Sequence, residues 1–262
     1  MSRYALNKEH RDYFRDFGKI VFHDLVSDVQ LKKIHREIKE ALAKRGSLNQ
    51  EAHFRLGRDL WRDCPTLQTI LLSQKLATIA AELSHERVLR LAFDQFLPDP
   101  LENRRAVESE KYPSYLESAS SLEERSCING LTVSLLLCIE GTAEETTQEA
   151  EEVQETEQEA EKEVKEEEGE GQELEEIEGV EEEIKEPCIL PTSAGEGVFF
   201  RSDLPLNFLP FPPKHSYLLI AYGMKTSMYL RHPTDPHEGS LKPFGYVFGD
   251  RLHDNLHPIV FR

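Results

Sequence analysis

The sequence predicts an α+β protein, with N-terminal helices packed on a β-sandwich or barrel core that a long acidic insert cuts in two. Three observations predict it. In the first third, apolar residues recur at spacings of three and four, the mark of helices with one buried face. In the last third, short aromatic and β-branched runs are bounded by Pro and Gly, the mark of strands and turns. Between them, residues 144–186 hold 22 Glu, no Asp and three Lys. The expected organisation is residues 1–143 as helices and the first part of the core, 144–186 as insert, and 187–262 as the rest of the same core.

Residues 8–17 read as a short helix stopped by Gly18. Lys19-Ile-Val-Phe-His-Asp24 follows as a β-rich run. Ser27 then caps a helix, with Gln30 in the reciprocal capping-box position. Leu31, Ile34, Ile38 and Leu42 make its apolar stripe, and Gly46 ends it. Residues 65–83 predict further helix, with Ser73 capping a second piece that carries Leu76, Ile79 and Leu83. Residues 87–96 alternate, with Leu89, Leu91 and Phe93 on one face and Arg90 and Asp94 on the other, as in a half-buried strand. A turn-rich stretch over 98–125 leads to a buried strand at 131–139. After the insert, 198–200, 217–222, 227–230 and 246–248 read as short strands separated by turn residues such as Pro212, Gly223, Gly239 and Gly249.

The insert carries a charge of −19 against −18 for the whole chain, so everything outside it sums to +1. Self-repulsion and few large apolar side chains predict a disordered, solvated linker. Leu174, Ile177, Val180 or Glu181, and Ile184 form the weak stripe of a competing partner-binding helix, interrupted by Gly169, Gly171 and Gly179. A near-neutral body offers no basic patch, which excludes nucleic acid and anionic membrane as partners. The partner chemistry suited to the insert is a basic protein surface. The N-terminus has no apolar signal region, and no apolar run approaches the roughly 20 residues of a membrane span, so the expected location is the cytoplasm. Cys64, Cys127, Cys138 and Cys188 show no metal-type spacing and read as structural thiols. No phosphate-binding glycine loop or nucleophile elbow occurs, and Trp61 reads as a core or edge aromatic.

Two longer stretches carry a resemblance. Tyr13-Phe-Arg-Asp-Phe-Gly18-Lys-Ile-Val-Phe-His-Asp-Leu25, followed by Ser27, resembles the entry of the phytanoyl-CoA dioxygenase family. Gly197-Val-Phe-Phe-Arg-Ser-Asp-Leu204, then Tyr217-Leu-Leu-Ile-Ala-Tyr222, resembles its distal strands. The resemblance implies a double-stranded β-helix (jelly-roll) core that holds Fe(II) by two His and one carboxylate and uses 2-oxoglutarate and oxygen. In that family the first two ligands come as H-x-D or H-x-E on a strand edge. The matching stretch here, residues 121–129, holds no histidine, and none occurs between His85 and His215. His10-x-Asp12 and His35-x-Glu37 fit the letters but fall in predicted helices, where residues two apart face different sides. The distal histidine, expected near Leu206, is absent. The basic residue for the cosubstrate carboxylate falls near Lys214, where the family's bidentate Arg is replaced by a point charge.

The remaining chemistry lies near the C-terminus. His232 with Asp235-Pro-His237 offers three donors of first-row metal type, and the same run also reads as a polar turn between two strands. His253 and His257 are four apart, as on one helical face, but Pro258 argues against helix there. The sequence therefore leads to a non-catalytic protein on an oxygenase-like β core, with no cofactor expected, binding a partner or a small ligand. The enzyme alternative is an Fe(II)/2-oxoglutarate oxygenase with a displaced metal site drawn from His215, His232, Asp235 and His237. A small-ligand module using the mouth of the β core is the third class.

Overall fold

A capped turn and a glycine set the first element. Asn7 Oδ1 accepts the His10 amide at 2.8 Å, and Gly18 closes the helix in the left-handed region at φ 71, a conformation glycine adopts at little cost. The computed structural model describes residues 6–46, 52–99, 120–141, 190–205, 212 and 214–262. By internal contacts the chain divides into one unit of Met1–Gly141 with Cys188–Arg262 and a second of Thr142–Pro187. The second unit lies outside the described residues, and with it the expected linker or helix of the insert. Leu206 and Cys188 lie outside them too.

The first helix, α1 (Lys8–Phe17), leads into β1 (Lys19–Phe22) and α2 (Asp28–Lys44). Ser27 donates its amide and its hydroxyl to Gln30 Oε1, at 3.3 and 2.9 Å. Next come α3 (Ala52–Leu56), a 3-10 turn (Leu60–Arg62), α4 (Pro65–Leu71) and α5 (Gln74–Ser84). The predicted helix over 65–83 is thus two, with Ser73 at the second start as expected. The strands and last helix are β2 (Leu89–Leu97), α6 (Leu122–Arg125), β3 (Ile128–Glu140), β4 (Gly197–Arg201), β5 (Ser216–Tyr229) and β6 (Ile259–Phe261). They make one six-stranded sheet in the order β1-β4-β3-β5-β2-β6, every pair antiparallel. The described residues do not form the second, facing sheet of a jelly roll. Nor is any helix among them long and apolar enough to cross a membrane.

Two apolar clusters sandwich the sheet. On the helix face, Leu31, Ile34 and Ile38 of α2, Leu67 and Leu71 of α4, and Leu76 and Ile79 of α5 pack on Leu135, Leu137, Leu218, Ile220 and Tyr222. Each fully buried aliphatic side chain there contributes about 2 kcal/mol. On the loop face, Phe93, Leu136, Phe200, Tyr217 and Tyr229 are covered by Leu241, Tyr246 and Leu252 of the C-terminal loops. Trp61 is buried with the helix-face core.

Several expectations need correction. The strand predicted as half-buried is buried along its whole length. The two terminal nitrogens of Arg90 donate inside to the carbonyls of Leu252, His257 and Lys225 and to Asp254. A bulge between Leu91 and Phe93 turns Phe93 onto the loop face, away from Leu89 and Leu91. The runs at 217–222 and 227–229 lie on one long strand, whose pairing with β3 slips in register around Gly130, where Ser227 Oγ donates to Gly130 O at 2.9 Å. Residues 246–248 form no strand, while β6, without a visible pattern of its own, pairs with the edge of β2.

Candidate functional site

The chain leaving β5 crosses the loop face through a run rich in Pro, Asp and Gly, which gives turns rather than strand. Buried Asp235 anchors it. One carboxylate oxygen accepts the Cys127 amide at 2.7 Å and the other the His237 amide at 2.8 Å. This pins the crossing loop to the start of β3. The His237 ring packs 5.4 Å from Phe54, and its Nε2 has no hydrogen-bond partner. Burial, helped by the Arg58 guanidinium and opposed by Asp235, pushes its pKa down to about 3, so the ring stays neutral. Arg58 itself is buried, its guanidinium 3.3 Å above the Phe93 ring.

His257 repeats the pattern one loop later. Its Nδ1 donates to the Ala92 carbonyl at 2.8 Å, which leaves Nε2 as a buried lone pair without a partner. Burial is the main reason its pKa falls to about 3, against the pull of the Ala92 bond. Tyr229 donates its hydroxyl to the Glu238 carbonyl and closes the far end of the same loop.

The four metal candidates are not brought together. Asp235 and His237 are neighbours, but both Asp235 oxygens serve backbone amides. His232 turns back into its own loop, with its amide on Glu238 and Nδ1 3.0 Å from Thr234 Oγ1. His215 sits at the start of β5, Nε2 2.9 Å from Thr192 O and its ring stacked on Tyr217. Among the described residues, no group of three His, Cys, Asp or Glu could hold a metal ion. The stretch matched to the family's first ligands is α6 and the start of β3. It offers Arg125 and Cys127 instead of histidine, and burial drives the Cys127 thiol pKa upward, away from the thiolate a metal needs. Iron bound by two His and one carboxylate therefore does not fit this donor set.

Lys214 is elsewhere. It is exposed, holds a left-handed backbone at φ 59, and lines a cleft of about 270 Å³ with His35, Lys39 and Leu42 of α2, Glu140 and Ser216. Ser216 shares the strand parity of Leu218, Ile220 and Tyr222, so the cleft opens on the helix face. The two sets of residues singled out in the sequence thus lie on opposite faces of the sheet. Sequence reasoning missed Arg58 and saw His257 only as one of a pair. Arg58 stands in the short link between α3 and the 3-10 turn, where no periodic signal reaches.

Comparison with known proteins fits this architecture. Residues 2–101 match a family model described as a domain of unknown function, DUF5070. No curated protein matches. Among solved structures, the non-heme alpha ketoglutarate dependent carbocyclase SnoK from nogalamycin biosynthesis is similar, with a TM-score of 0.57 and 14% identity over 99% of this chain and 98% of that one. The epimerase SnoN from the same biosynthesis gives 0.54 and 13% over 96% and 97%. The chain has an oxygenase-like fold. CT296 from Chlamydia trachomatis aligns over 85% of this chain and 98% of its own, at 17% identity and a TM-score of 0.44.

Proposed function

We propose that this chain is a non-catalytic protein on an oxygenase-like, double-stranded β-helix core, related to the phytanoyl-CoA dioxygenase type, that binds a small ligand or a protein partner. One observation carries the reading. Asp235, the carboxylate among the metal candidates, spends both oxygens on the Cys127 and His237 amides. The stretch from residue 86 to 214, where the fold's ligands are expected, holds no histidine. A carboxylate already satisfied by two buried amides would have to abandon them to reach a metal.

The cytoplasm is the expected location. Cys64, Cys127 and Cys138 are buried and unlinked, and burial pushes the Cys64 and Cys138 thiols up to about 12. The glutamate-rich residues 144–186 are the partner element, and their chemistry suits a basic protein surface. Capture of such a partner should weaken steeply with salt and be lost when the glutamates are replaced by glutamine.

The test of the central reading is incubation of the full chain with Fe(II), 2-oxoglutarate and oxygen, with succinate measured. No succinate above the blank is expected. Succinate that disappears in His232→Ala or His237→Ala would restore the alternative, an Fe(II)/2-oxoglutarate oxygenase with a displaced site.

A further inference from the structure

The cleft on the helix face has the make-up of a small-molecule site. One side of α2 supplies His35, Ile38, Lys39 and Leu42 at helical spacing, and the ends of β2, β3 and β5 close it with Phe96, Glu140 and Ser216. Ile38, Leu42 and Phe96 are buried and give it an apolar floor. Beside them the Ser216 hydroxyl is enclosed, on a residue only 3% exposed, and has no hydrogen-bond partner. A buried hydroxyl left unbonded is disfavoured, and a ligand that accepts its proton removes the penalty.

The rim carries charges of both signs. Lys39 and Lys214 are both exposed, and Lys39 makes no ion pair among the described residues. Lys214 keeps its left-handed backbone without being glycine, a strain that persists where the surroundings fix it and that collects at ligand sites. Glu140 on the same rim faces His35, Nδ1 to Oε2 3.4 Å, and Asp99 adds a second carboxylate. Those two acids make a dianion such as phosphate costlier to hold than a monoanion. The volume, about 270 Å³, falls just below the roughly 300–1,000 Å³ of drug-sized sites, which suits a metabolite-sized guest.

We propose that this cleft binds a small amphipathic monocarboxylate. Its apolar part lies on Ile38, Leu42 and Phe96, its carboxylate is held by Lys39 and Lys214, and Ser216 donates to it. This gives a place and a ligand class to the small-ligand half of the reading above, on which it rests. Calorimetric titration of the full chain at low salt, with hexanoate, hexanamide and hexyl phosphate as probes, tests it. Saturable hexanoate binding is expected, about tenfold tighter than hexanamide and tighter than hexyl phosphate. The double variant Lys39→Ala/Lys214→Ala should lose about tenfold in hexanoate affinity, with circular dichroism confirming that these surface changes leave the fold intact. Ser216→Ala should weaken binding further without loss of saturation. Equal binding of hexanamide, preference for hexyl phosphate, an unaffected double variant, or no saturable hexanoate binding would each overturn the proposal. None of these outcomes touches the succinate measurement, so the two readings fail separately.

Discussion

Asp94 on one face of the sheet and His237 and His257 on the other are pushed in opposite directions by the same force. On the helix face, Asp94 accepts the Leu60 and Trp61 amides at 3.0 and 3.1 Å and so fixes the 3-10 turn against β2. Burial above all, then the neighbouring Asp59 carboxylate, pushes its pKa up to about 7 against the pull of those amides. On the loop face, burial pushes His237 and His257 down to about 3. Removal from water favours the neutral form in each case. The sign of the response differs only because one group is neutral when protonated and the other when deprotonated. Each face also uses a buried aspartate to tie backbone that has no ladder of its own: Asp94 the turn after α3, Asp235 the loop after β5.

The largest expected effect comes from cutting the loop-face tie. Asp235→Ala orphans the buried Cys127 and His237 amides, each costing about 1–3 kcal/mol, so urea unfolding should show a loss of about 4 kcal/mol. Asp235→Asn keeps one acceptor oxygen and should lose about half as much. A loss under about 1 kcal/mol in the alanine variant, the size of an ordinary substitution, would mean that the loops do not depend on this carboxylate.

A pH series separates the faces. For His237 and His257 the folded value, about 3, lies below the ordinary 6.5, so the unfolded chain binds more protons between them. Their contribution is present above about pH 6.5 and is lost as the pH falls toward 3. For Asp94 the folded value, about 7, lies above the ordinary 3.8, so its contribution is present below about pH 4 and is lost as the pH rises toward 7. His257→Gln keeps a donor for the Ala92 carbonyl. The wild type should lose about 2 kcal/mol more than this variant between pH 8 and pH 5. Asp94→Asn should change the profile in the other direction, steepening the acid loss. Parallel profiles for wild type and both variants would show that these groups are solvated in the native state.

Legibility in the sequence divides along the same line. The helix face was readable because periodicity is a local signal: Leu31, Ile34 and Ile38 declare a stripe, and Ser27 with Gln30 declares its start. Asp94 was misread, since a charge in an alternating run ordinarily faces water and nothing local announces that the Leu60 and Trp61 amides wait for it. The loop face is held by contacts across more than a hundred residues, such as Asp235 with Cys127 and Arg90 with His257. Composition named residues 231–239 as a turn, but not what the turn grips. The resemblance led to the oxygenase-like fold, and the missing histidines argued against its metal site. The cleft was half visible: Lys214 drew attention as a cosubstrate residue, but the cleft it lines opens, by the parity of Ser216, on the face away from the His237 loop.

The smallest expected effect concerns the insert. β3 and β4 pair through Leu137 and Gly197, and beyond that pair Cys138 and the 195–196 backbone exchange two further bonds of 2.9 Å, Cys138 N to Glu196 O and Gly195 N to Cys138 O. The ladder is therefore closed a few residues short of where the glutamates begin, by contacts that belong to the body of the chain. Removing residues 144–186 leaves those bonds in place and shortens only the connection across them. Closure entropy varies with the logarithm of loop length, so the change should stay within about 1 kcal/mol, in the direction of greater stability. The body that remains carries a net charge of +1, so the deletion is best compared at a pH away from neutrality, where solubility does not hide the melting temperature. A melting temperature close to that of the full chain is expected. A loss of several kcal/mol would mean that the insert packs on the body and contributes to its core. The body would then bury a third apolar surface beside the two faces of the sheet.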